Sequence, residues 1–283
     1  LLALALYFAA IGVGVLKWLI LVRAQEIPST FTQLLAFNFV ALFFGNVLPS
    51  NVGGDLIRGY DLARAAHSRR EAAATSVLVD RLIGLIAFLG VAVVMAFLAT
   101  LMFTRGSELE QIEIASGLVA VALIGASALL FSRRVARRGA FLFEWRPLVP
   151  FRPLANKVFD ALQVYRAHLP ALMANGALSL TIVVVTTFVW YAVARSLGID
   201  VPLFYFLLFN PLIAFVLLIP ISFNGLGAKE AAVVFFFGLV GVPNEAAFSM
   251  SLLFHLIVVL TSLPGGILWW RQRALKPQLQ EAA

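Results

Sequence analysis

Long apolar runs separated by short polar connections dominate this sequence. The runs cover residues 1–22, 31–48, part of 72–103, 112–131, 169–194, 202–219 and 246–270, with a shorter, interrupted apolar segment at 223–242. A run of about 20 apolar residues forms a helix long enough to cross roughly 30 Å of hydrocarbon. The pattern therefore predicts an all-α fold, a polytopic transmembrane helix bundle with seven or eight spans, some of them re-entrant or broken.

The composition supports a membrane protein. Of the 283 residues, 62% are hydrophobic and 12% are charged, whereas soluble domains carry about 25% charged residues. So little polar surface excludes a large water-soluble domain. The chain has no cysteine, which excludes disulfides, thiol catalysis and cysteine-ligated zinc. Its three histidines are far apart in sequence, so we predict neither a metal site nor a cofactor.

Basic residues, which give a net charge of +7, flank the apolar runs. They concentrate in the connections 58–70, 133–166 and 271–276. Positive charge marks cytoplasmic connections, so we attribute it to membrane orientation and predict no nucleic-acid partner. The connections that are acidic or poor in positive charge, and are predicted to face outside, are 23–30, 105–113 and 196–201. This assignment places both termini in the cytoplasm.

The first polar interruption, residues 46–58, follows the second apolar run. Pro49 ends that run as a helix because its ring removes a backbone donor. After the adjacent glycines 53–54, Asp55 and Arg58 lie three residues apart, on one face of a following helix. Two interpretations remain open. Either this is a helix-loop-helix at the membrane surface with Asp55 as a helix N-cap, or it is a re-entrant element whose glycine-rich turn and helix N-terminus receive an anionic group.

The second interruption, residues 219–230, lies between apolar stretches and ends in Lys229 and Glu230. Only residues 231–242 follow before the next polar cluster, about 18 Å of helix, which is too short to cross alone. Both charges are therefore predicted to lie at membrane depth, where each costs about 2.5–3.5 kcal/mol at the helix centre. The pair either closes a tight turn or lines a cavity in a broken helix.

A third polar pair, Asp80 and Arg81, opens the apolar run 82–102. That run is long enough to span by itself, so one interpretation places both charges at the membrane interface. If the helix begins at Ala72 instead, Arg81 lies two turns inside it. Gly84 then lies on the same face and admits another backbone or a headgroup.

The two interruptions resemble each other. Each contains proline, then serine and asparagine, then two nearby glycines, then an acidic residue. The resemblance indicates one integral membrane domain over 1–283 with two related halves, about 1–131 and 169–270, a common plan among transporters. The segment between them, 132–168, is the longest polar stretch. It is predicted to be a cytoplasmic membrane-surface helix or, alternatively, a regulatory or partner site.

The segments 46–58, 80–84 and 225–230 resemble the lysylphosphatidylglycerol synthase transmembrane region family, also called the flippase-like domain family. The resemblance covers nearly the whole chain and implies about eight helices in the cytoplasmic membrane of a bacterium or archaeon. It also implies lipid handling. In fused members this region is thought to move aminoacylated phosphatidylglycerol between leaflets, and other relatives are linked with hopanoid, glycolipid or polyprenyl-phosphate pathways. Fused members carry a cytosolic aminoacyl-transferase domain that we expect this chain to lack, so the resemblance implies no synthase activity.

We therefore predict a lipid translocase of flippase or scramblase type, with membrane lipids as partners and no catalytic residue. The predicted substrate-binding residues are Asn51, Gly53, Gly54, Asp55, Arg58, Asp80, Arg81, Ser222, Asn224, Gly225, Gly227, Lys229 and Glu230. The glycine pair and Arg58 would meet the lipid phosphate, with Arg81 as a second cation, because the planar guanidinium suits phosphate. Asp55 would orient Arg58 or contact a cationic headgroup. The alternatives are a membrane-embedded lipid-modifying enzyme, or a non-transporting subunit that partners such an enzyme.

Overall fold

Eight α-helices and one short 3-10 helix form the part of the chain that the structure describes. In this computed structural model, the described residues are 1–47, 53–66, 69–102, 164–217 and 225–280. The helices are α1 (Leu2–Ala24), α2 (Phe31–Val47), α3 (Gly53–Ala65), α4 (Arg70–Met102), α5 (Leu169–Ser196), α6 (Leu203–Val216), α7 (Ala228–Gly238) and α8 (Asn244–Gln280), with the 3-10 helix at Tyr165–His168. The predicted all-α membrane bundle is confirmed.

Four of these helices are long and apolar enough to cross a membrane. They are α1, α4 over Arg70–Ala99, α5, and α8 over Asn244–Arg271. Helices α2 and α6 are apolar but shorter. The span predicted at 112–131 and nearly all of the segment 132–168 lie outside the described residues. Large apolar side chains such as Phe97 and Trp270 are mostly exposed, as expected for surfaces that face lipid.

Helix α1 runs antiparallel to its main packing partner, α5. Near one end of the pair, the Tyr165 hydroxyl, just before α5, donates to the Leu21 carbonyl over 3.1 Å. Farther along, a Cβ atom on Gly14 would lie 3.9 Å from the Ile182 side chain. Residue numbers fall along α1 as they rise along α5, so α1 ends at the face where α5 begins.

Helices α2 and α3 form a hairpin that returns to the face of the bundle where it began. They pack so closely that a Cβ atom on Gly54 would lie 2.8 Å from the Ala41 carbonyl oxygen, so a larger residue would force them apart. Beyond α3, Arg69 reaches the turn before α2, where its guanidinium lies 2.8 Å from the Glu26 carboxylate. The described residues of α2 and α3 therefore fit the re-entrant interpretation, while residues 48–52, including the helix end predicted at Pro49, lie outside the described residues.

Helices α6 and α7 form a second hairpin, which begins and ends at the opposite face. The ring centroids of Phe206 and Phe209 in α6 lie 4.9 Å and 5.2 Å from that of Phe237 in α7. Gly241, with φ of 81°, then helps turn the chain into α8. Helix α7 has 11 residues, about 16 Å of helix, which does not cross a membrane alone. The length argument for residues 231–242 is confirmed.

The hairpins bear on the predicted two-half organisation. One hairpin lies in the predicted half 1–131 and the other in the half 169–270, and they enter the bundle from opposite faces. Inverted repeats in transporters have this arrangement. The division into related halves itself stays a prediction.

The structure corrects the predicted orientation of two connections. The charge pattern assigns 23–30 and 58–70 to opposite faces, yet Arg69 pairs with Glu26 and also donates to the Gln25 carbonyl over 2.7 Å. Both connections therefore lie at one face. The charge pattern misleads because it treats the run 31–48 as a full crossing, whereas α2 is one arm of a hairpin.

The described helices also place the start of α1 and the end of α8 at opposite faces, whereas the charge pattern predicts both termini at one face. Helix α8 runs antiparallel to α2, since Ser262 binds Asn46 over 2.7 Å while Trp269 lies against Phe44. Helix α8 therefore runs toward the start of α2, which is where α1 ends. Helix α1 begins at the opposite face.

Cysteine labelling tests the hairpin, because the chain has no native cysteine. The variants Glu26→Cys and Arg69→Cys replace side chains that are 77% and 46% exposed. In sealed membrane vesicles, we expect a membrane-impermeant maleimide to label both from the same side. As a control, Asp200→Cys, 89% exposed at the opposite face, should label from the other side. Labelling of positions 26 and 69 from opposite sides would contradict the hairpin.

Candidate functional site

Asp80, inside α4, is the centre of a buried group of charges and is 2% exposed. The Lys17 ammonium of α1 lies 2.9 Å from its Oδ1 atom, and the Arg58 guanidinium of α3 donates twice to Oδ2 over 3.1 Å. The Asn175 amide of α5 donates to Oδ1 over 2.9 Å. Four helices thus meet at one carboxylate, and Asp80 lies in the interior of the helix bundle.

Asp55 links Asp80 and its partners to a second arginine. Its Oδ1 atom accepts from Arg58 Nε over 2.9 Å, and its Oδ2 atom accepts from Arg81 Nη1 over 2.6 Å. Asp55 lies in the first turn of α3 with both carboxylate oxygens bound to arginines, so the N-cap interpretation is wrong. We define the ion cluster as Lys17, Asp55, Arg58, Asp80 and Arg81. Three positive and two negative groups give it a net charge of +1.

The ion cluster lies deep within the helices. Lys17 precedes the end of α1 by about 10 Å of helix, and Asp80 follows the start of α4 by about 15 Å. Helix α3 turns its polar side inward: Arg58 is 8% exposed, whereas Leu56 and Tyr60 are 69% and 66% exposed. A helix in water shows the reverse pattern, so α3 is built for an apolar surrounding.

Neighbouring residues pack against the two buried cations, Lys17 and Arg58, and hold them in place. The Arg58 guanidinium carbon lies 4.9 Å from the centroid of the Trp18 ring, a cation–π contact. The Trp18 indole N–H is in turn fixed by Ser76 Oγ at 3.1 Å. A Cβ atom on Gly84 would lie 3.5 Å from Lys17 Nζ, an ordinary contact distance, so the lysine packs beside this glycine. Lys17 and Arg58 therefore each have a carboxylate partner and closely packed neighbours.

A cavity of about 230 Å³ lies beside the ion cluster. Its lining comes from α1, α2, α3, α4 and α8, and comprises Tyr7, Asn38, Ala41, Leu42, Gly45, Asn46, Gly54, Asp55, Arg58, Arg81 and Val258. The Arg81 side chain is 34% exposed, against 10% for Arg58. Among the described residues Arg81 binds only Asp55. A guanidinium has five N–H donors, so most of those of Arg81 remain available to a guest in the cavity.

Lys229 and Glu230 belong to a second buried group at the start of α7. One Glu230 carboxylate oxygen accepts from the Gly227 N–H over 2.6 Å and so caps α7. The other lies 3.3 Å from the Lys229 ammonium and 3.2 Å from the Ser251 hydroxyl. The Lys229 ammonium also lies 2.9 Å from His255 Nδ1. These contacts fit the interpretation of a pair that closes a tight turn, and none of these residues lines the cavity.

Comparison with known proteins shows the family to which the chain belongs. A family model described as the lysylphosphatidylglycerol synthase TM region matches residues 1–265. The chain belongs to this family. Neither the curated proteins nor the solved structures contain a match to the chain. Membership indicates a multi-pass membrane protein with a lipid-related function. The family's transmembrane region has no catalytic domain of its own, which is compatible with a protein that is not an enzyme.

In this member of the lysylphosphatidylglycerol synthase TM region family, the predicted site residues fall into separate groups. Those in or beside the cavity are Gly54, Asp55, Arg58, Asp80 and Arg81. Those at the start of α7 are Gly225, Gly227, Lys229 and Glu230. Gly53 is buried in the first turn of α3. Those outside the described residues are Asn51, Ser222 and Asn224. Substrate binding by any of them stays a prediction.

The sequence interpretation missed three polar residues of this family member: Lys17, Asn175 and His255. Lys17 had a readable signal, since a charge inside the apolar run 1–22 is costly unless it is paired. Asn175 is a polar residue within a predicted span and carries a weaker signal of the same kind. Which helices these residues join depends on packing between distant segments, which sequence spacing does not encode.

Proposed function

We propose that this protein moves a phosphate-bearing lipid between membrane leaflets, with the headgroup passing through the cavity beside the ion cluster. One observation carries the proposal: a partly exposed Arg81, part of a cluster with net charge +1, lines a cavity between the helices of the bundle. Membership of a family of membrane proteins with a lipid-related function also supports a role in lipid transport.

The charge of the ion cluster suits a phosphate. A basic residue within a membrane is costly unless a polar guest or water reaches it. One phosphate monoanion would neutralise the net charge of +1 and could bind the unused N–H donors of Arg81. Arginine and phosphate form strong, bidentate hydrogen bonds.

The size of the cavity suits a headgroup alone. Pockets for drug-sized ligands occupy about 300–1,000 Å³, and this cavity has about 230 Å³. The acyl tails of the lipid would therefore stay in the bilayer while the polar headgroup is shielded from hydrocarbon. A translocase needs this separation.

The two arginines would have different roles. Arg58 is held by two carboxylates and is nearly buried, so it stays in place and keeps the cluster assembled. Among the described residues, Arg81 binds Asp55 alone, and Arg58 also binds Asp55. When a phosphate contacts Arg81, Asp55 keeps a partner in Arg58, and no carboxylate is left unpaired.

Purified protein in liposomes tests the proposed function. With phosphatidylglycerol labelled on an acyl tail and a membrane-impermeant quencher outside, we expect faster loss of the protected signal than in protein-free liposomes. A second arm measures uptake of radiolabelled glycerol phosphate, the soluble form of the same headgroup. Lipid movement equal to that of empty liposomes, or uptake of the soluble headgroup in its place, would refute the proposal.

A further inference from the structure

A second buried group of titratable side chains lies where α7 packs on α8, apart from the ion cluster. The Lys229 ammonium lies 2.9 Å from His255 Nδ1 and 3.3 Å from a Glu230 carboxylate oxygen. The Ser251 hydroxyl donates to the same oxygen over 3.2 Å. Lys229 and Glu230 are 4% and 6% exposed, and His255 is half-buried. Three titratable side chains thus meet inside the bundle, and headgroup binding in the cavity uses none of them.

The contact between Lys229 and His255 holds one proton between two nitrogens. Nitrogens 2.9 Å apart form a hydrogen bond when one donates and the other accepts. An ammonium therefore faces a neutral imidazole, or a neutral amine faces an imidazolium. With the Glu230 carboxylate beside them, the three groups together are neutral. A second proton can bind the accepting nitrogen, and it changes the charge of the group from neutral to +1.

Among the described residues, the surrounding helices place no further charged side chain against this group. Helices α2 and α6 contain no charged residue, and α6 carries one titratable residue, Tyr205. Helix α5 stacks Trp190 on the ring of Phe254, which precedes the histidine, and α1 places the phenol-bearing Tyr7 against the same ring. Along α8, Glu245 lies ten residues before the histidine, about 15 Å of helix. The charge of a second proton therefore needs a partner from outside the group.

The side of α8 that carries this group continues into the lining of the cavity. One stripe of residues, spaced by four, three and four positions, lies on one side of the helix: Ser251, His255, Val258 and Ser262. Val258 lines the cavity, and Ser262 binds Asn46, another lining residue, over 2.7 Å. His255 therefore lies one helical turn from the wall of the cavity.

From this arrangement we propose that the protein binds a proton at the contact between Lys229 and His255 and moves it together with the anionic lipid. The proposal rests on the proposed function. A proton at this contact and a phosphate in the adjoining cavity attract each other, so the binding of each favours the binding of the other. The proton comes from water at one face and leaves to water at the other. One phosphate monoanion and one proton together carry no net charge across the membrane.

A pH gradient across liposomes tests proton coupling. The liposomes contain the protein, a trace of phosphatidylglycerol labelled on an acyl tail, and a pH-sensitive dye inside, and potassium with valinomycin sets the membrane potential. With the outside one pH unit more acidic and no potential, we expect the labelled lipid to shift toward the inner leaflet by up to about tenfold. The dye should report proton entry at the same time. A potential imposed without a pH gradient should leave the lipid distribution unchanged, and protein-free liposomes set the background.

The variant His255→Gln tests the site. Glutamine keeps hydrogen-bonding groups but does not bind a proton, so the shift driven by the pH gradient should be lost while lipid still equilibrates between the leaflets. His168→Gln is the matched control, because His168 is exposed just before α5 and lies outside the group. This control should show the wild-type shift.

The outcomes separate proton coupling from the proposed function. Wild-type lipid movement that ignores the pH gradient, or that follows the potential, would overturn proton coupling while the translocase function stands. A shift retained in His255→Gln, or lost equally in His168→Gln, would overturn the assignment to His255. Should His255→Gln fail to fold, the wild-type measurement alone decides on coupling. Absence of any lipid movement would overturn both proposals.

Discussion

Replacing Asp80 by alanine is expected to destabilise the protein by about 3–5 kcal/mol, the usual effect of removing one partner from a buried ion pair. Among the described residues, Lys17 would keep only the backbone carbonyl of residue 80, at 3.2 Å, as a hydrogen-bond partner, and Arg58 would keep only Asp55. The net charge of the cluster would rise from +1 to +2. The effect is read as a lower midpoint of thermal unfolding in detergent, followed by the intrinsic fluorescence of the tryptophans.

Asp200→Ala is the matched control for this prediction. Asp200 also pairs with an arginine, Arg195, but its side chain is 89% exposed. Surface pairs of this kind contribute about 0–1 kcal/mol, so its unfolding midpoint should stay near that of the wild type. If the two variants unfold at the same temperature, Asp80 does not hold four helices together as described.

The sequence was sufficient to predict several of the charged groups that the helix bundle buries, including Arg58, Asp80 and Glu230. The spacing of Asp55 and Arg58 predicted a shared helix face, and the two residues form an ion pair in α3. The short length of 231–242 predicted a helix too short to cross, and α7 has 11 residues. These predictions succeeded because they depend on local geometry and on the cost of charge in hydrocarbon.

The arrangement of those groups could not be predicted from local patterns. Asp80 finds Lys17 and Asn175 across 63 and 95 residues of sequence. Spacing also did not reveal that Gly54, predicted to meet the lipid phosphate, allows α3 to pack against the Ala41 carbonyl. The predicted orientation of the connections 23–30 and 58–70 was wrong for a related reason, because counting charges cannot distinguish a re-entrant hairpin from a crossing helix.

Replacing Arg81 by glutamine is expected to lower the rate of lipid translocation about tenfold or more. Hydrogen bonds to a charged group contribute about 1.5–3 kcal/mol, and each 1.4 kcal/mol is a factor of ten. The fold should tolerate the change, because the Arg81 side chain is 34% exposed and Asp55 keeps Arg58 as a partner. Arg81→Lys keeps the charge but loses the planar set of donors, so it should restore only part of the rate.

The initial rate of phosphatidylglycerol translocation in liposomes containing equal amounts of wild-type, Arg81→Gln or Arg195→Gln protein tests the central claim most directly. Arg195 is the control, because its side chain is 51% exposed and pairs with Asp200 far from the cavity. The account predicts a rate about tenfold lower for Arg81→Gln and a wild-type rate for Arg195→Gln. A wild-type rate in both variants would contradict the claim that the lipid headgroup passes the ion cluster at Arg81.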